Sequence, residues 1–206
     1  MAMRAIDPAA QSERDNYKLL IGSIIPRPIA FVTTLSEGGV LNAAPFSYFT
    51  IVTADPPMVA VSVQRKQGVR KDTSRNAVTT GEFVVHIADS SYIGAINTTA
   101  APLPPEESEA ALAGLTPAAS LAVAVPGIAE ASIRMECVLE QAIPLGGTAD
   151  APAADLLIGR VVQFHVAEDV IDDRGHIDAG RLQPVSRLAG NSYAKLGEQF
   201  ELERPV

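Results

Sequence analysis

The chain has one cysteine, Cys137, and no tryptophan. A single thiol excludes a framework of intrachain disulfides, so nothing in the sequence points to an oxidising compartment. Aromatic residues make up only 5%, so Val, Ile, Leu and Ala must build the core from a 47% hydrophobic content. Basic residues are outnumbered: 16 Lys and Arg face 24 Asp and Glu, for a net charge of −8. With no basic run, this balance argues against nucleic acid as a partner. No apolar run approaches the roughly 20 residues of a membrane span. Met1 to Gln11 lacks the basic and apolar regions of a secretory signal. The expectation is a cytoplasmic protein without a membrane partner.

Catalytic signatures are also missing. There is no G-x-S-x-G nucleophile elbow and no G-x-G-x-x-G fingerprint. His86, His165 and His176 do not stand at metal-ligand spacing, so no metal site is expected. At 206 residues, one domain covering residues 1–206 is the default reading.

What is present is a series of short strands. Residues 28–35 are β-rich, Ser36-Glu37-Gly38-Gly39 supplies a turn, and Val40 begins a return strand. Ala54 to Pro57 breaks the chain, and Val59, Val61 and Val63 then alternate with smaller or polar residues. Lys71 to Thr80 reads as a helix with Asp72 as N-cap and Gly81 past its end. Glu82 to Ile87 is a strand. Ser90 to Thr99 and Glu106 to Leu112 read as helices. Ile133, Met135, Cys137 and Leu139 alternate with Arg134, Glu136 and Glu140, which predicts a strand with one wet face. Leu157 to Val166 is the longest predicted strand, and Thr148 to Ala154 an exposed loop. Strands joined by short turns, with helices inserted, predict a mainly β fold of barrel type.

Two segments carry candidate chemistry. Asn42-Ala43-Ala44-Pro45-Phe46-Ser47-Tyr48-Phe49 is an extended, aromatic-bearing stretch whose small residues let a flat ring approach the backbone. Lys71-Asp72-Thr73 places a cation beside a helix start, where free N–H groups and the dipole favour a phosphate. Together they point to a phosphorylated aromatic cofactor, and flavin mononucleotide (FMN) fits. Each also has a plainer reading: the first as a return strand with core aromatics, the second as a capped surface helix. Ser62, Gln64 and Arg65 end a strand from which they can reach a ribityl chain or phosphate, or simply face solvent. His86 is either a satisfied core histidine or a wall of the flavin pocket.

A wider pattern bears on the choice. Pro26 to Thr34, Asn42 to Phe49, Lys71-Asp72-Thr73 with Asn76, Thr80 to Val85, and the tail from Pro184 to Tyr193 resemble the flavin reductase-like, FMN-binding split-barrel family, which includes flavoredoxin-like proteins. Ala189 stands where that family would have Gly, and Phe31 where Trp is common. The resemblance implies a split β-barrel, usually a homodimer with FMN near the interface. It implies cofactor contacts from Asn42, Ala44, Pro45, Phe46, Ser47, Ser62, Arg65, Lys71, Asp72, Thr73 and His86. Arg187, Asn191 and Tyr193 would close over the site from the same or the partner subunit. The implied activity is flavin reduction by NAD(P)H, which can stack on bound flavin without a dinucleotide fold, with a monooxygenase or redox protein as partner. An FMN-binding electron carrier and a binding module without turnover are the other readings. No side chain is assigned a catalytic role.

Overall fold

The computed structural model describes residues 1–205. Helix α1 (Glu13–Ser23) opens on Ser12, whose hydroxyl accepts from the Asp15 N–H at 3.2 Å. The short β1 (Arg27–Pro28) leads into β2 (Ala30–Leu35), β3 (Leu41–Phe46), β4 (Phe49–Ala54) and β5 (Pro57–Gln64). Helix α2 (Asp72–Thr80) and β6 (Glu82–Ile87) follow. The middle holds α3 (Ile93–Thr98), α4 (Glu109–Leu112), β7 (Pro117–Ala118) and β8 (Gly127–Ile128). Two long strands, β9 (Ile133–Leu145) and β10 (Ala154–Val166), precede α5 (Ala179–Leu182), β11 (Val185–Arg187) and β12 (Tyr193–Lys195).

Seven strands form one antiparallel sheet in the order β3-β2-β6-β9-β10-β5-β4. Its two edges, β3 and β4, are consecutive in the chain and separated only by Ser47 and Tyr48. Laid flat, seven strands would hold their edges about 29 Å apart. The linker spans at most about 11 Å, so the sheet has to curl until its edges meet. The interior is common to the whole sheet: Val32, Phe46, Val61, Phe83, Met135 and Leu157 pack in one cluster. The result is a mainly β barrel with inserted helices, split between β3 and β4.

Gly159 serves this curvature. It sits at a register shift in the β9–β10 ladder, and a Cβ there would collide with the Phe83 ring. Helix α2 contributes Ala77 to the same core, and Gly81 ends the helix at φ 76°, a left-handed position suited to glycine. A second cluster of Phe31, Tyr92, Ile96 and Ile128 packs α3 and α4 against the outer face of β2. A separate small sheet, β1-β11-β12, brings the C-terminal segment back beside Arg27.

Several boundaries differ from expectation. Lys71, not Asp72, is the N-cap of α2, and Asp72 is the first helical residue, paired with Arg75 at 2.5 Å. Helix α4 begins only at Glu109, with Ser108 as its cap, its hydroxyl accepting from the Ala111 N–H at 3.3 Å. Helix α3 begins at Ile93. Glu136 does not lie on a wet face. It is fully buried, because the loop after β7 folds over it. Its carboxylate accepts from the N–H groups of Leu121, Ala122 and Val123 and contacts His165 Nε2. Burial alone would raise this carboxyl, but these hydrogen bonds hold it below the usual range.

Candidate functional site

The split in the barrel opens into a cavity of about 830 Å³. The end of β3 and its linker supply Pro45, Phe46, Ser47 and Tyr48, and β5 supplies Ser62 and Gln64. Helix α1 adds Tyr17, α3 adds Asn97, and the C-terminal segment adds Arg187, Asn191 and Tyr193. A second cavity of about 540 Å³ adjoins it and shares Pro45, Phe46, Lys71 and Ala100 as lining. Asn42, Ala44, Asp72 and Thr73 line this second space.

The charge of the larger cavity is one-sided. Arg27, Lys71 and Arg187 line it, and no Asp or Glu does. In a chain of net charge −8 this is a local positive pocket within an acidic field. Arg27 and Arg187 are opposite each other in the β1–β11 register, a pairing of like charges that costs stability. Arg27 is buried and has no salt bridge among the described residues. Its Nη1 donates to Ile21 O at 2.7 Å and Ile24 O at 2.5 Å, and its Nη2 to Leu188 O at 2.8 Å. Nε points to Ser47 Oγ at 3.4 Å. The guanidinium thus ties the end of α1 and the C-terminal segment to the β3–β4 linker.

Helix α2 meets the cavities with its N-terminus. No side chain caps it, so the first-turn N–H groups lack partners within the helix. The Lys71 ammonium has no salt bridge among the described residues, and it stands at the junction of both cavities. The hydroxyls of the first turn point inward. Thr73 Oγ1 donates to Asn42 Oδ1 at 2.8 Å, and Ser74 Oγ donates to Asp155 Oδ2 at 2.8 Å. Thr73 therefore offers a ligand its backbone N–H, while its hydroxyl proton is committed to Asn42.

The tail closes one wall from the same chain. The Arg187 guanidinium lies 4.4 Å from the Tyr193 ring centroid, a cation–π contact. Tyr193 Oη donates to Asn97 Oδ1 at 3.4 Å, which ties the tail to α3. Tyr48 is partly buried, and that burial raises its phenol.

Two expected ligands lie elsewhere. Arg65 lines neither cavity. Its Nε donates to Asp155 Oδ2 at 3.0 Å and its Nη2 to Oδ1 at 2.5 Å, a bidentate pair against a carboxylate with no exposure. His86 is fully buried in the layer between β2 and β8. The Ile128 N–H can only donate, so Nε2 accepts from it at 2.9 Å and Nδ1 donates to Phe31 O at 2.8 Å. Burial pushes this imidazole down to about 4. It is neutral, satisfied and away from both cavities. Conversely, Tyr17, Asn97 and Arg27 were not singled out as ligands. Only Arg27 carries a signal, an arginine held between two prolines in a β-rich run.

FMN requires a phosphate site, a slot for a flat ring, and room. The uncapped α2 start with Lys71, which has no salt bridge among the described residues, Ala44 on the smaller cavity and Pro45 on both, and a larger cavity within the roughly 300–1,000 Å³ typical of cofactor sites meet these needs. No helix among the described residues is long and apolar enough to cross a membrane.

Comparison with known proteins agrees with this arrangement. The chain is 67% identical to nitrilotriacetate monooxygenase component B from Bacillus cereus, covering 98% of this chain and 100% of that one, with a TM-score of 0.97. Against the 2-nitrobenzoate 2-nitroreductase NbaA of Pseudomonas fluorescens it is 29% identical, covering 98% and 96% of the two chains, with a TM-score of 0.88. An uncharacterized protein of Halalkalibacterium halodurans, BH2278, is 55% identical over 98% of this chain and 96% of its own. Residues 21–182 match the family described as flavin reductase like domain. With that match, the curled sheet and the open seam between β3 and β4, the chain belongs to the flavin reductase-like family of split-barrel proteins.

Proposed function

We propose that this protein binds FMN in the larger cavity and is an oxidoreductase of the flavin reductase type, taking electrons from NAD(P)H. The observation that carries this reading is the convergence of Arg27, Lys71 and Arg187 on a carboxylate-free cavity at the barrel seam. Such a wall favours an anionic ligand. Lys71, which lines both cavities, and the free N–H groups of the α2 start, on the side of the smaller one, would hold the phosphate where the two spaces join by charge-assisted hydrogen bonds. Pro45, Phe46 and Ser47 would flank the ring, and Ser62 with Gln64 would face the ribityl chain. When bound, the flavin supplies the redox chemistry, accepting two electrons and a proton as hydride from a nicotinamide. The protein's part is to align the two rings and to exclude water. Arg27, on the wall of this cavity, would supply positive charge favouring the more negative, reduced form of a bound flavin. No acid or base is needed in the transfer, and His86 is sealed in the core.

The reduced flavin would serve a partner such as a monooxygenase. The similarity to a monooxygenase component supports this assignment. A homodimer belongs to the same reading. Leu20, Ile24 and Ile51 are 55%, 60% and 78% exposed, and β4 has an unpaired outer edge. Sedimentation at micromolar concentration should give a dimer, and a monomer with and without FMN would contradict it. The functional test is steady-state oxidation of NADH and NADPH with FMN as acceptor, paired with an FMN titration of apo-protein. Tight FMN binding with turnover is expected. Absence of binding would remove the reading altogether.

A further inference from the structure

Glu109 is a buried acid that neither the flavin reading nor the barrel core uses. It is 6% exposed and lines the smaller cavity together with Asn42, Lys71 and Thr73. Its Oε2 accepts from Asn42 Nδ2 at 3.0 Å and from the Ala43 N–H at 3.3 Å. Asn42 Oδ1 in turn accepts from Thr73 Oγ1 at 2.8 Å. One amide side chain therefore separates this carboxyl from the first turn of α2. Glu109 has no salt bridge among the described residues. The other acid on this wall, Asp72, already has a cation in Arg75. The cations facing the same space are Lys66, Arg70 and Lys71. Glu106 and Glu107, on the segment leading into α4, are exposed and line neither cavity, and no histidine lines either one. Burial raises the Glu109 carboxyl above its ordinary value, and the charge of Asp72 adds to this. Hydrogen bonds from its own N–H, the Ala43 N–H and Asn42 offset part of the rise.

We propose that Glu109 is the proton-accepting residue of the phosphate site, so that docking of the flavin phosphate takes up one proton from solvent at this carboxyl. The inference rests on the flavin reading, because the phosphate of FMN brings the charge. A phosphate held by Lys71 and the N–H groups of α2 carries about −1.5 to −2 at neutral pH. It would share its wall with a buried carboxylate that has no cation of its own, and a like charge disfavours the ionised form. Protonation removes that repulsion. The proton adds to the ionised oxygen and comes from water or buffer, so no bond to the flavin forms or breaks. Lys66, Arg70 and Lys71, as cations, have no site for a further proton, and Asp72 is compensated by Arg75 and by the dipole of α2. The sign follows from linkage. FMN binds more tightly as pH falls through the range in which Glu109 is ionised in the free protein and neutral in the complex.

The test is calorimetric titration of apo-protein with FMN and with riboflavin, near neutral pH, in two buffers of different protonation enthalpy. FMN should take up a net fraction of a proton, and riboflavin, which lacks the phosphate, none. The phosphate's own second ionisation, with a pKa of about 6, gives the opposite sign, since a cationic site drives its proton off. FMN affinity should rise about threefold to tenfold for each unit that pH falls, tenfold corresponding to one full proton. Glu109→Gln keeps an acceptor for the Asn42 and Ala43 donors. It should bind FMN about threefold or more tighter than the parent at neutral pH and take up no proton. FMN binding to the parent with no uptake, or with release, would overturn the proposal without any variant and leave the flavin reading standing. So would an uptake that survives in Glu109→Gln, or a variant that loses FMN affinity, the mark of a residue that only holds Asn42 in place. Failure of FMN to bind at any pH would sink the flavin reading and this one together.

Discussion

Thr73 Oγ1 donates a 2.8 Å hydrogen bond to Asn42 Oδ1, joining the first turn of α2 to β3. Thr34 Oγ1 shares that acceptor at 3.2 Å, and Asn42 Nδ2 reaches Glu109 Oε2 at 3.0 Å. All four residues are buried. One amide therefore fixes the start of α2 relative to β3, whose residues line both cavities. Replacing Asn42 with Ala leaves the Thr73 and Thr34 hydroxyl protons without their shared acceptor and removes one of the two donors to Glu109 Oε2, the Ala43 N–H remaining. Each unsatisfied buried group costs about 1–3 kcal/mol. The urea midpoint should drop with the slope unchanged, and FMN affinity should fall with it. An unchanged midpoint would show that water replaces the amide without loss.

Lys71→Ala should weaken FMN far more than riboflavin, because riboflavin lacks the phosphate. A charge-assisted hydrogen bond contributes about 1.5–3 kcal/mol, so fluorescence titration should show the FMN dissociation constant rising by at least tenfold. Equal losses for both ligands would place Lys71 away from the phosphate.

Arg65 and Asp155 give a stability prediction and no binding one. Burial would raise the Asp155 carboxyl. The hydrogen bonds from Arg65 and Ser74 and the charges of Arg65 and Arg70 outweigh it and hold the group below its usual range. A carboxyl depressed in the folded state contributes stability above its unfolded pKa, about 3.9. That contribution is lost as pH falls through the folded value. Asp155→Asn should be less stable at neutral pH, with a shallower loss of stability in acid than the parent. Arg65→Met should lower the Tm and leave the ratio of FMN to riboflavin affinity unchanged; a selective loss of FMN would return Arg65 to the site.

His86 acts in the same direction over a higher pH window. Its folded pKa of about 4 lies below the unfolded value of about 6.5. Between those values the unfolded chain binds a proton that the folded chain refuses, so stability falls as pH drops from 6.5 to 4. The full difference corresponds to about 3 kcal/mol. His86→Gln should flatten that segment of the stability curve. It should also leave reduction of bound FMN within about tenfold, since removing a true acid or base costs about 10² to 10⁴. A drop beyond a hundredfold at full flavin occupancy would make His86 a participant in the chemistry.

Local signals made part of this molecule legible. The turn at Ser36 to Gly39 and the stop at Gly81 each depend on nearby residues and stand where the pattern puts them, while the break expected over Ala54 to Pro57 narrows to Asp55 and Pro56 between β4 and β5. The start of α2 was readable to within one residue, Lys71 and not Asp72 being the cap. Long-range partners left no local mark. Arg65 reads as a free cation until β10 brings Asp155 beside it, 90 residues away. Glu136 alternates like a solvent-facing residue until the loop at 121–123 closes over it. Tyr17, Asn97 and Arg187 meet in one cavity only because the sheet curls and the tail returns along β1.

The central claim is that the cavity at the barrel seam holds FMN and passes it electrons from a nicotinamide. Anaerobic stopped-flow mixing of FMN-loaded protein with NADH, and separately with NADPH, tests it most directly. The account predicts saturable loss of flavin absorbance with at least one donor, faster than for free FMN and much diminished in Arg27→Met at matched occupancy. Tight FMN binding with reduction by neither donor above the rate of free FMN would contradict it, and would make the protein a flavin carrier supplied by another electron source.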